Sequence, residues 1–184
     1  MNSFILPLSE QSLYSAHNLI TSILFVIWIA ICTLGYKLND STYKRNITIF
    51  LIAISFLQEI FDYLNRFLFN DLYVITIAKD LPLQLCHFAY WFVVACLICQ
   101  LYNYKYKQFY FNCAYFIGFS GALQSIITVD LTNIYTLGDI LALHLQHSFI
   151  IMNLLWLIFA YGLKFNQKSI MQAFLFTNSM VIVV

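Results

Sequence analysis

The sequence predicts an all-α fold: a polytopic transmembrane bundle of about six helices, in a single domain over residues 1–184, with the N-terminus outside. Three observations carry that reading. Hydrophobic residues make up 62% of the chain and charged residues 9%, with a mean hydropathy of +0.80, too apolar to cover a soluble surface. The apolar residues gather into runs near the roughly 20 residues a helix needs to traverse about 30 Å of hydrocarbon. The few basic residues alternate from loop to loop as a multi-pass protein requires.

The first helix is expected over about residues 18–36. Residues 1–11 contain Glu10 but no Lys or Arg, so they lack the basic start of a cleaved signal, and this segment reads as retained. The second helix covers about residues 46–64, and the apolar stretch 73–78 after it is too brief to span, which suits a re-entrant or surface piece. The third, over about residues 83–102, follows Pro82 and carries Gln84, Cys86 and His87 at its entrance. The fourth, over about residues 109–129, holds Gly118-Phe119-Ser120-Gly121-Ala122, a small-residue surface suited to close helix contact, since packing rather than hydrophobicity joins helices in lipid. The fifth covers about residues 140–163. A sixth begins near Ser169, and its 16 residues reach only about 24 Å at 1.5 Å per residue, so the last helix is expected to be short or truncated.

Seven of the nine basic residues fall in alternate loops: Lys37, Lys44 and Arg45, then Lys105 and Lys107, then Lys164 and Lys168. Arg66 and Lys79 fall on the other side, so the positive-inside rule puts the N-terminus outside and the odd-numbered loops in the cytoplasm. Tyr102, Tyr104, Tyr106 and Tyr110 then form an aromatic belt at the inner surface. The scattered basic residues form no patch, which excludes nucleic acid as a partner. Five cysteines are an odd number for a disulfide framework, and Cys32, Cys96, Cys99 and Cys113 read as small buried hydrophobes.

Ionisable groups within crossings are costly and tend to face a cavity or one another. Followed in the assigned direction, the second helix exits outward at Glu59 and Asp62, and the third enters just before Cys86 and His87. The fourth approaches the exterior at Gln124, and the fifth leaves it through His144 and His147, three apart on one face. The polar candidates therefore share the outer half, as one external-leaflet site. A thiol acts as a nucleophile once an imidazole provides thiolate character, and an imidazole gains orientation from a carboxylate. Glu59 or Asp62 is expected to hold His144 or His147 while that histidine serves Cys86, and Gln124 or a backbone N–H freed after Pro82 to stabilise the oxyanion. The chemistry is then acyl transfer through a thioester, with membrane phospholipid or its fatty acyl chain as partner and no cofactor. Two alternatives use the same atoms. Cys86, His144, His147 and Glu59 offer a mixed zinc donor set. A non-catalytic ligand-binding or structural subunit, assembled as a homo-oligomer or with a membrane partner, needs only the pocket.

The chain resembles the YwaF-like family of bacterial integral membrane proteins, related to a vertebrate transmembrane lipid acyltransferase. The resemblance rests on Leu81-Pro82-Leu83-Gln84-Leu85-Cys86, on the run from Tyr115 through Gly118, Gly121 and Gln124 to Asp130 and Leu131, and on His147 with its apolar sequel. Thr177-Asn178-Ser179-Met180 is a weaker echo. The resemblance implies a multi-pass protein of a bacterial cell membrane in which Cys86 accepts an acyl chain and His147 activates it. The family usually has His where this chain has Gln84, and often Pro where it has Val129.

Overall fold

The computed structural model describes residues 7–69, 85–131, 134–165, 170, 171, 173–176, 178 and 179. The elements are α1 (Glu10–Lys37), α2 (Ser41–Leu64), α3 (Leu85–Leu101), α4 (Lys107–Ala114), α5 (Ser120–Ile127) and α6 (Leu137–Tyr161). A π-helical turn over Asn65–Phe69 extends α2, and another over Tyr115–Phe119 joins α4 to α5. Every described element is helical, and three stretches, Glu10–Lys37, Ser41–Leu68 and Leu137–Tyr161, are long and apolar enough to cross a membrane, with Leu85–Leu101 a shorter apolar helix. Of the expected sixth helix, residues 170, 171, 173–176, 178 and 179 are helical. The stretches 73–78 and 81–84 lie outside the described residues.

Local chemistry sets the helix ends. Ser9 caps α1 by accepting from Ser12 N, so the helix starts two turns before the apolar run and takes in His17. Asp40 caps α2, accepting from Thr42 N at 2.7 Å and Tyr43 N at 3.2 Å. Thr136 and Asp139 form a capping box at the start of α6, and Gly162 at φ +68 ends it in the left-handed conformation that a residue with Cβ resists.

The core is organised around α6, which packs against α1, α2, α3 and α5. Four polar contacts tie it together inside the bundle: Trp28 Nε1 donates to Ser148 Oγ at 2.9 Å, Trp156 Nε1 to Thr48 Oγ1 at 2.9 Å, Asn153 Nδ2 to Ser55 Oγ at 3.1 Å, and Tyr90 OH to Ser55 O at 2.5 Å. Each is worth about 0.6 kcal/mol in lipid, so packing carries most of the association. A Cβ added at Gly118 would lie 2.8 Å from Ala89 Cβ and 2.8 Å from Ile150 Cγ2, whereas one at Gly121 meets nothing within 4 Å. The small-residue contact expected on the fourth segment is therefore made by Gly118, between α3 and α6, and not by Gly121.

The bundle has two chemically distinct ends. Leu8 N donates to Tyr135 O at 2.9 Å and Asn65 Nδ2 to Asp139 Oδ1 at 2.8 Å, gathering the start of α1, the end of α2 and the start of α6. At the other end Lys44 Nζ donates to Ala160 O at 2.6 Å, a cation at the negative end of the α6 dipole, and Gln108 Nε2 to Lys164 O at 3.0 Å. The basic loops thus share one end and the histidines approach the other.

Candidate functional site

At the histidine end, α2, α3 and α6 turn polar side chains into a largely apolar bundle. His144 and His147 are both buried on α6, and each gives its Nδ1 to a carbonyl one turn back: Ile140 O for His144 and Leu143 O for His147, both at 2.8 Å. A carbonyl can only accept, so both rings carry the proton on Nδ1 and present a lone pair on Nε2. The two lone pairs have different uses. His144 Nε2 lies 2.9 Å from Nδ1 of buried His17 on α1 and accepts its proton. His147 Nε2 has no hydrogen-bonding partner among the described residues, which leaves it able to act as a base.

The carboxylates act otherwise than expected. Both imidazoles are oriented by their own helix, and neither Glu59 nor Asp62 holds one. Asp62 is clasped by Arg66, through Nε at 3.0 Å and through Nη2, four residues on along the same helical face. Glu59 is buried and its Oε2 has no partner among the described residues. Asp139, one residue before the fifth expected helix, is a clamp: Oδ1 accepts from Asn65, while Oδ2 accepts from Tyr135 N at 3.1 Å and Thr136 N at 3.0 Å.

Cys86 is the second described residue of α3, half-buried against the apolar core, with a free thiol. Its neighbour His87 is buried and lies within electrostatic range of both His147 and Arg66. His144 and His147 interact in the same way, as do Glu59 and Arg66, and Tyr90 and Glu59. His17, His144, His147, His87, Arg66 and Glu59, drawn from α1, α6, α3 and the end of α2, thus lie within electrostatic reach of one another in sequence along this end. Gln124 stands apart, exposed on α5. Among the described residues no three His, Cys, Asp or Glu side chains come together as metal ligands, so the Cys86, His144, His147 and Glu59 donor set is not assembled there.

Several buried atoms of this region lack a partner among the described residues: both amide atoms of Gln58, Glu59 Oε2, Asn65 Oδ1, His87 Nδ1 and Gln146 Nε2. Each such atom costs about 1–3 kcal/mol unless water or a ligand satisfies it.

Sequence reasoning did not select His17, Tyr90, Arg66, Gln58 or Gln146 as site residues. His17 had a usable signal, since it precedes the first apolar run on the outward side by the charge rule. Arg66 had one too, since it follows Asp62 at i,i+4, the spacing of a helical ion pair.

A sequence model described as the TMEM164 family matches residues 12–184. No protein of curated function and no solved structure matches the chain.

Proposed function

The chain belongs to the TMEM164 family, a membrane-protein family, and from that premise we propose that it moves a fatty acyl group between membrane lipids through a thioester on Cys86. The observation that carries the reading is the state of His147: its Nδ1–H is committed to Leu143 O, so a bare Nε2 lone pair is held inside the bundle, on the helix next to the one that Cys86 opens. His147 takes the thiol proton, and the thiolate attacks the ester carbonyl of a donor lipid. Collapse of the tetrahedral intermediate releases the donor as an alcohol, which receives its proton from the His147 imidazolium. An acceptor hydroxyl then gives its proton to His147, attacks the thioester, and leaves the Cys86 thiol reprotonated. The oxyanion needs a buried N–H donor. Gln58 and Gln146 each carry a buried amide nitrogen without a partner among the described residues and suit that role better than exposed Gln124.

On this reading the partners are membrane phospholipid and its acyl chain, in the outer leaflet of a cell membrane. The narrower assignment to the YwaF-like bacterial branch belongs to the same proposal and rests on the run ending at Cys86, on the Tyr115 to Leu131 run and on His147 with its apolar sequel. A non-catalytic lipid-binding subunit is the second reading, favoured by the unpartnered polar atoms, which suit a bound headgroup as well as a reacting ester. The test is acyl exchange by the purified chain in vesicles holding one lipid with labelled acyl chains and one unlabelled lipid with a free hydroxyl. Transfer that is lost in Cys86→Ser supports catalysis. Lipid binding without transfer, equal in Cys86→Ser and the parent, supports the second reading and overturns the first.

A further inference from the structure

At the basic end, α2 and α3 part to leave a groove of about 540 Å³ whose lining includes Arg45, Ile49 and Ile52 of α2, Ile98 and Leu101 of α3, and Tyr102 in the turn that follows α3. The α2 residues are spaced i, i+4 and i+7, and Ile98 and Leu101 on α3 are spaced i and i+3, so each helix presents one face. The two helices are pinned further along, where Tyr90 OH meets Ser55 O at 2.5 Å and the Phe56 and Trp91 rings lie 5.4 Å apart. Toward the basic end no hydrogen bond joins them among the described residues, and the wedge between them opens.

The groove is amphipathic along its length. Four aliphatic side chains make its walls over about 10 Å of α2, and the Arg45 guanidinium and Tyr102 hydroxyl stand exposed at its mouth. Four other charged residues of this end have contacts of their own. Lys44 Nζ donates to Ala160 O at 2.6 Å, Lys107 Nζ to Asn103 Oδ1 at 2.9 Å, and Lys105 Nζ stands 5.0 Å over the Tyr106 ring. Asp40, the acid of the α1–α2 turn, spends its Oδ1 capping α2. Arg45 makes no hydrogen bond or ion pair among the described residues, so a cation with a planar fork of donors sits over an apolar slot at the edge of the hydrocarbon.

We propose that this groove holds one anionic phospholipid, its phosphate on Arg45 and Tyr102 and an acyl chain between Ile49, Ile52, Ile98 and Leu101. A zwitterionic lipid would bring its amine against the same basic end, where Asp40 of the α1–α2 turn already caps α2 through Oδ1. By the charge rule this end faces the cytoplasm, the leaflet in which anionic headgroups are concentrated. The site is separate from the histidine end and does not depend on any reaction there.

Native mass spectrometry of the delipidated full chain, titrated with phosphatidylglycerol or phosphatidylcholine of identical acyl chains, tests the proposal. One phosphatidylglycerol is retained under activation that strips phosphatidylcholine. Arg45→Gln weakens that retention by about fivefold, the share of one basic residue at a membrane surface, while Arg45→Lys keeps most of it and Lys105→Gln leaves it unchanged. Glycerol 3-phosphate in large excess does not displace the lipid, because it cannot fill the groove. Equal retention of the two lipids, a preference that survives in Arg45→Gln, or displacement by glycerol 3-phosphate each overturns the proposal.

Discussion

His144 and His147 lie three residues apart on α6, and the partners of their ring nitrogens give them different fates. His144 is used at both nitrogens, by Ile140 O and by His17, whereas His147 keeps Nε2 unengaged among the described residues. In acyl exchange, His147→Gln is expected to lower the rate by about 100-fold or more, the usual contribution of a positioned base, and His144→Gln to leave it within about tenfold. The His17 link makes a stability prediction. His17→Leu strips His144 Nε2 of its donor inside the bundle, and thermal unfolding in detergent should report a loss of about 1–3 kcal/mol. An unchanged melting temperature would mean that the imidazole pair contributes nothing to holding α1 on α6. At this scale the sequence was informative about which residue types collect at one end and uninformative about who bonds to whom. The pairing of His144 with a carbonyl and a distant histidine, rather than with Glu59 or Asp62, follows from helix rotation and depth, which spacing along one chain does not encode.

Elements were legible where their determinants are local. The five apolar runs that became α1, α2, α3, the α4–α5 segment and α6 were visible because length and hydropathy are properties of contiguous residues. The starts of α1 and α6 moved outward from the apolar boundary because Ser9 and the Thr136–Asp139 capping box, not hydrophobicity, set them. The π-helical turns at Asn65–Phe69 and Tyr115–Phe119 follow no such local rule. Gly118 and Gly121 look alike in sequence and differ in the bundle. Gly118→Val forces a branched side chain into Ala89 and Ile150 and should cost about 1–3 kcal/mol, while Gly121→Ala should be neutral or raise stability by up to about 1 kcal/mol through helix propensity. Melting curves of the two variants in one detergent check the contrast, and equal losses would contradict the packing described.

Over the whole molecule, the alternation of basic loops along the chain becomes a separation in space. Lys44 meets the C-terminal end of α6 and Gln108 the segment just after it at one end, while the start of α1, Asn65 and Asp139 meet at the other. That correspondence was readable from the sequence because membrane orientation depends on loop composition and not on packing. It predicts that Ser9→Cys is labelled by an impermeant maleimide in intact cells and Lys105→Cys only after permeabilisation, with the parent chain as the blank for its half-buried and buried cysteines. The reverse pattern would invert the bundle and place the histidine end at the inner surface. The central claim is that Cys86 at that end carries the acyl chain. The most direct measurement is the intact mass of the full chain after incubation with phospholipid vesicles, with and without hydroxylamine. The account predicts a fatty acyl increment that hydroxylamine removes, that is missing from Cys86→Ala and that is much reduced in His147→Gln; an unmodified parent chain, or an increment that persists in Cys86→Ala, would contradict it.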